Sequence, residues 1–164
     1  MHTRWRLALA IVVSGALAGG IAWAQGTDPL LGTWKLNVAK STYSPGPAPK
    51  SQTVKIGGTD DARTLSVDVT PATGPDQHWE VAGASGKDLP VKGNNPNADS
   101  YTFKRINATT IEAQYKKGGK PTITQTAVVS ADGKTLTVTG KGTDAQGRTV
   151  NNVAVYDKQA GGTQ

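Results

Sequence analysis

Apolar residues recur at every second position along most of this chain. In "TLSVDVT" (64–70), Leu65, Val67 and Val69 share one face, with Ser66 and Asp68 on the other. "YTFKRI" (101–106) sets Tyr101, Phe103 and Arg105 against Thr102 and Lys104. "TIEAQY" (110–115) groups Ile111, Ala113 and Tyr115, and "TLTVTG" (135–140) puts Leu136 and Val138 opposite Thr135, Thr137 and Thr139. A strand turns successive side chains to opposite faces, so this period marks strands with one buried and one wet face. Runs at 34–38, 53–57, 77–82, 121–129 and 149–156 read the same way, and no window carries a helical apolar stripe. The pattern predicts an all-β chain of eight or nine strands.

The breaks between runs agree with that reading. Gly118-Gly119 and Asp132-Gly133 are two-residue hairpin turns, where positive φ is needed and Gly tolerates it. The segment 83–100, "GASGKDLPVKGNNPNADS", is too long and polar for a hairpin turn. It reads either as a lid or as an irregular crossing between the two halves. Many strands joined by tight turns leave open edges, and closing the sheet on itself removes them. An antiparallel up-and-down β-barrel therefore fits better than a two-sheet sandwich.

The first 24 residues have a basic start at Arg4 and Arg6, an apolar stretch from Leu7 to about Ala18, and Ala22-Trp23-Ala24. That order predicts a cleavable signal peptide, 1–24, followed by one domain, 25–164. The other reading, an uncleaved anchor, needs ~20 apolar residues, and Ser14, Gly15, Gly19 and Gly20 interrupt the stretch. With no Cys in the chain, a lipid-anchored lipoprotein is not expected, and an exported domain must fold without disulfides. The expected location is periplasmic or secreted. Without Arg4 and Arg6, 16 basic residues face 12 acidic ones, a net charge of +4 against +6 for the whole chain. These charges are spread singly rather than clustered, which argues against a nucleic-acid partner.

Residues that could carry chemistry are few. His78 is the one histidine after residue 24, so a His-rich zinc site is excluded, and there is no cysteine nucleophile. Alternation in "DQHWEV" turns His78 and Glu80 away from Trp79, towards the outside, so no catalytic residue is expected. Asp60-Asp61 reads as solvated turn chemistry. Asn94 to Asp99 is rich in oxygen ligands but lacks the acidic spacing and closing Glu of a calcium loop. No metal and no cofactor are predicted. The inward set predicted by alternation is Leu36, Val54, Ile56, Leu65, Val67, Trp79, Tyr101, Phe103, Ile111, Tyr115 and Val138. Trp79, Tyr101, Phe103 and Tyr115 are its candidate ligand-binding residues. The set suits an apolar ligand held by one or two hydrogen bonds, and it suits a filled core equally.

Gly32-Thr33-Trp34, on the first strand, resembles the Gly-x-Trp motif of the lipocalins and the wider calycin group. More closely, the run Gly32 to Ser51, with "GKDLPV", "ADSYTFKRI", "YKKGGK", "DGKTLTVT" and "GTDAQG…NNVAVYDKQ", is similar to exported bacterial lipocalin-like proteins. The resemblance implies that Trp34 plugs the closed end of a barrel, beneath a cation from a late strand, and that Gly32 lets the strand pass close by. The middle Thr-Asp-Tyr block of typical lipocalins is not recognisable here, and no Arg lies on the final strand. Arg105, on the face of Phe103, is therefore expected to stack on Trp34, with Arg148 as the alternative. The function expected is an exported, non-catalytic binder of a small hydrophobic ligand, without stable membrane insertion. The alternatives are a filled barrel that recognises a protein partner through its loops, and an enzyme on the same scaffold.

Overall fold

Each of the nine alternating runs forms a strand. The computed structural model describes residues 27–161, so the leader pattern of residues 1–24 lies outside the described residues. In chain order the strands are β1 Gly32–Leu36, β2 Ser51–Thr59, β3 Ala62–Thr70, β4 Gln77–Gly83, β5 Leu89–Pro90, β6 Lys92–Gly93, β7 Ser100–Asn107, β8 Thr110–Lys117, β9 Lys120–Val129, β10 Thr135–Thr143 and β11 Thr149–Lys158. A single 3-10 turn, Val38–Lys40, follows β1, and the Asn37 side chain accepts the Lys40 N–H to cap it.

All strands join one antiparallel sheet in the order β5-β7-β8-β9-β10-β11-β1-β2-β3-β4-β6. Except across the gap between β4 and β7, consecutive long strands pair, and β11 returns to pair with β1, Trp34 facing Lys158 and Leu36 facing Tyr156. This is the up-and-down barrel that the turns predict. The count is eleven rather than eight or nine, because segment 83–100 holds two short strands that its polar composition hid.

Those two strands make the seam. β5 and β6 stand at opposite ends of the sheet order, yet only Val91 separates them in the chain. On one side Leu89 pairs with Tyr101 and Pro90 with Ser100. On the other, Lys92 pairs with Glu80 and Gly93 with Trp79. Backbone bonds from Gly86 N–H to Phe103 O (2.8 Å), Val91 N–H to Asp99 O (2.9 Å) and Asn94 N–H to His78 O (2.7 Å) extend the stitching. The segment is thus the crossing that bridges β4 and β7, not a lid.

Closure turns alternation into inside and outside. All eleven residues of the predicted inward set belong to the core or pack against it, together with Leu30, Leu89 and Tyr156. Leu89 reaches the core beside Gly83, and its side chain occupies the space a Cβ there would need.

Gly93 has φ +95°, and a Cβ on it would intrude on the His78 carbonyl and lie 3.1 Å from Trp79 Cα. Gly93→Ala should therefore loosen the seam and cost about 1–3 kcal/mol, the usual scale of such backbone strain. Denaturant unfolding, with faster hydrogen exchange at the Val91 and Asn94 amides, checks this; an unchanged midpoint would mean that closure does not depend on this approach.

Candidate functional site

The two ends of the barrel are built from different chemistry. At one end Trp34 is fully buried, and its indole Nε1–H donates to the Leu30 carbonyl at 2.9 Å. The segment before β1 folds under the barrel so that Leu30, 1 % exposed, lies against this ring as part of the core. The cation over Trp34 is Lys158, whose Nζ sits 4.9 Å from the ring centre and donates to the Pro29 carbonyl at 3.1 Å. Gly32, at φ +123°, leaves room for that lysine stem, since a Cβ there would lie 3.2 Å from Lys158 Cε.

Arg105 does not stack on Trp34. Its Nε bonds Asp60 at 2.6 Å and its Nη2 bonds Asp28 at 2.5 Å. Arg63 joins the same carboxylates, Asp28 at 2.9 Å and Asp60 at 2.5 Å. Arg148 pairs with Asp144 in the β10–β11 turn at the other end. Both expected cations are therefore corrected to Lys158. Arg105 instead reaches two carboxylates, which compensate a guanidinium better than an indole face does.

The four charges form the floor of the barrel. Arg63 is 4 % exposed, and its Nε is the one buried side-chain polar atom without a partner among the described residues. Burial alone would raise the Asp28 carboxyl, but Arg63, the Leu30 N–H and Arg105 outweigh it and hold the pKa below its usual 3.8. At Asp60 the Arg105 hydrogen bond dominates and also lowers the pKa. The solvated-turn reading of Asp60 is thus replaced by an ion-pair role. Alternation continued back from Leu65 would have placed Arg63 inside.

The opposite end is open, and the space it opens into is lined without charge, the Arg148–Asp144 pair lying in the turn outside it. A vestibule of about 310 Å³ is lined by Tyr43, Trp79, Tyr115, Tyr156 and side-chain amides, with Pro47 and Pro49 from the β1–β2 loop on its rim. Below it lies a lumen of about 80 Å³ walled by Val54, Val67, Tyr101, Ile111 and Leu136. Gln52, Trp79, Tyr115, Gln125, Val138 and Tyr156 border both spaces, so one leads into the other. No residue lining either is charged. The phenols stay neutral: burial pushes Tyr43 up to about 12, and it raises Tyr101, Tyr115 and Tyr156 as well.

Three of the four predicted ligand-binding residues meet here. Trp79 and Tyr115 pack edge to face at 5.7 Å between ring centres, and Tyr101 lies 5.3 Å from Tyr115. Phe103 does not line the cavity. It is 2 % exposed in the core, where it fills space between lumen and floor. His78 lies outside, half exposed, with Nδ1 2.7 Å from Asp68 and Nε2 3.4 Å from Glu80. The Asp68 hydrogen bond raises its pKa above 6.5. Asn97 and Asp99 spend side-chain oxygens on the Ala145 and Gly118 N–H groups, a structural use of the oxygen-rich loop. Two larger depressions are troughs on the outer surface, one bordered by Lys55, Glu80 and Lys92, the other beside Asp28 and Asp60. The site missed by sequence is the vestibule's amide lining, because Gln52 lies just before a strand run and Gln125 and Asn152 interrupt apolar faces.

No family model matches the chain, and neither a curated protein nor a solved structure matches it.

Trp34→Ala should cost about 3–5 kcal/mol, as large-to-small core changes do. Lys158→Met, which keeps the stem but removes the cation, should cost only about 0.5–1 kcal/mol. Equal melting temperatures for both variants would deny Trp34 its role as the plug. Asp28→Asn leaves buried Arg63 one partner short and should cost about 2 kcal/mol at neutral pH. Because both carboxyls titrate below 3.8 in the folded state, their stabilisation is complete above that value and lost as pH falls through the folded pKa values. Acid unfolding of the wild type should thus be steeper than that of Asp28→Asn, as followed by circular dichroism.

Proposed function

We propose that this chain is an exported, non-catalytic, lipocalin-like binding protein that holds one small, uncharged, largely apolar molecule at the open end of its barrel. The observation that carries the reading is the vestibule of about 310 Å³, uncharged throughout, leading into an aromatic-lined lumen. Its volume falls in the range of small-molecule sites, about 300–1,000 Å³, and a few polar groups among apolar walls are the usual lining. Catalysis would need a group that titrates near working pH within reach of the bound molecule. The titratable groups here are phenols raised by burial. Export is supported by the leader pattern of residues 1–24. Lys35, Lys55, Asp68, Glu80, Lys104 and Glu112 stand exposed on the outer face, where a lipid-facing barrel would carry apolar side chains.

A second reading draws on the size of the lumen. At about 80 Å³ it is smaller than the ~150 Å³ cavity that takes up benzene. The interior is thus mostly filled, which favours recognition at the rim, by the Pro47 and Pro49 loop and its neighbours, over deep enclosure. The two readings differ in what occupies the vestibule, a small molecule or a partner's side chain.

Native mass spectrometry of residues 25–164, purified gently from an exporting host, should reveal an added small-molecule mass that disappears on denaturation. Binding of that molecule should hardly change between pH 6 and 9, since Tyr43 titrates only at about 12 and the other phenols are raised too. A bare protein mass, with no quenching of Trp79 fluorescence by lipids or hydrophobic dyes, would transfer the case to the rim-recognition reading.

A further inference from the structure

The lining of the vestibule has an order that its general apolar character does not require. Gln52, Val69 and Gln77 are paired neighbours across β2, β3 and β4, so the two amides flank a valine on one wall. Gln125, Gly140 and Asn152 are paired neighbours across β9, β10 and β11, so two more amides flank a glycine on the next. Alternation turns all six inward, and all six line the vestibule. Gly140 is buried; a Cβ there would lie 3.7 Å from Gln125 Cγ and 3.8 Å from its Nε2, so the amide rests over the place where a side chain is missing. None of the four amides contains a buried polar atom lacking a partner, so each amide is either bonded or open to water. Asn152 Oδ1 accepts the Ser44 N–H at 2.9 Å, which orients its NH₂ group.

We infer that these four amides form a collar that selects a ligand with an uncharged hydrogen-bonding head, such as a carboxamide or hydroxyl, over a charged one and over a plain hydrocarbon. This rests on the small-molecule reading above and names its ligand class. An amide offers both a donor and an acceptor, so a neutral head with the same pair finds complementary partners on either wall. An anion or cation must shed its water in a space where no lining residue carries the opposite charge, and that desolvation is uncompensated. A hydrocarbon head leaves the amides to give up water without replacement. The apolar tail points toward Trp79 and the lumen, whose wall is made largely by Val54, Val67, Ile111 and Leu136.

The test uses four probes of one shape: 2-naphthamide, 2-naphthoate, 2-naphthamidinium and 2-methylnaphthalene. Binding is followed by calorimetry and by NMR of the glutamine side-chain NH₂ groups. Expected is 2-naphthamide binding about tenfold or more tighter than the other three, with shifts in the Gln52 and Gln125 NH₂ signals. Gln125→Leu, close in volume, should cut naphthamide affinity about three- to tenfold and, by removing an amide that a hydrocarbon would strip of water, tighten 2-methylnaphthalene binding. Equal affinity for all four probes, or tighter binding of either ion, overturns the collar while the small-molecule site stands. Failure of all four to bind overturns both.

Discussion

A sheet that closes on itself leaves no unpaired backbone edge, and in this barrel closure hangs on the stretch from Ser85 to Asn94. The nine long strands would otherwise end at β4 on one side and β7 on the other, with two rows of open N–H and C=O groups. The crossing segment meets Phe103, Tyr101, Ser100 and Asp99 with its first part and Glu80, Trp79 and His78 with its second. Once the ring is closed, every second residue of every strand is committed to one interior. The plug, the floor and the vestibule are all consequences of that commitment.

The interior then separates by charge. Charges buried without partners are costly, so those that enter must meet one another. They do so at the floor, where Asp28 from the lead-in segment and Asp60 from the β2–β3 turn neutralise Arg63 and Arg105. Above them Tyr101 and Phe103 fill the width of the barrel with rings rather than charge. The space at the open end is lined by amides, phenols and apolar side chains, with no charge among them. The barrel thus has a paired ionic floor and an uncharged lining at its other end.

How much was legible depends on the distance over which each feature is decided. The strands were readable from alternation, and the eleven inward positions from Leu36 to Val138 followed with them. Lys158 was also within reach, because the period that sets Ala154 and Tyr156 inside continues to it, and the same period carried back from Leu65 includes Arg63. The partner of Arg105 was not legible, because Asp60 and Asp28 stand 45 and 77 positions away along the chain. Phe103 shares the alternation of Tyr101, and only its depth in the barrel separates a filler from a wall.

By itself the sequence determined the all-β class, the places of the long strands, the faces they bury and the two-residue Gly118-Gly119 turn, whereas Asp132-Gly133 proved part of a five-residue loop, 130–134. These are local properties, set by side chains two positions apart and by the few residues that tolerate positive φ. Tertiary structure alone decided that 83–100 is a seam, that Lys158 rather than Arg105 covers Trp34, and that the interior is mostly filled with an open mouth. Those outcomes depend on register around the ring and on volumes summed across strands remote in sequence, which no local pattern encodes.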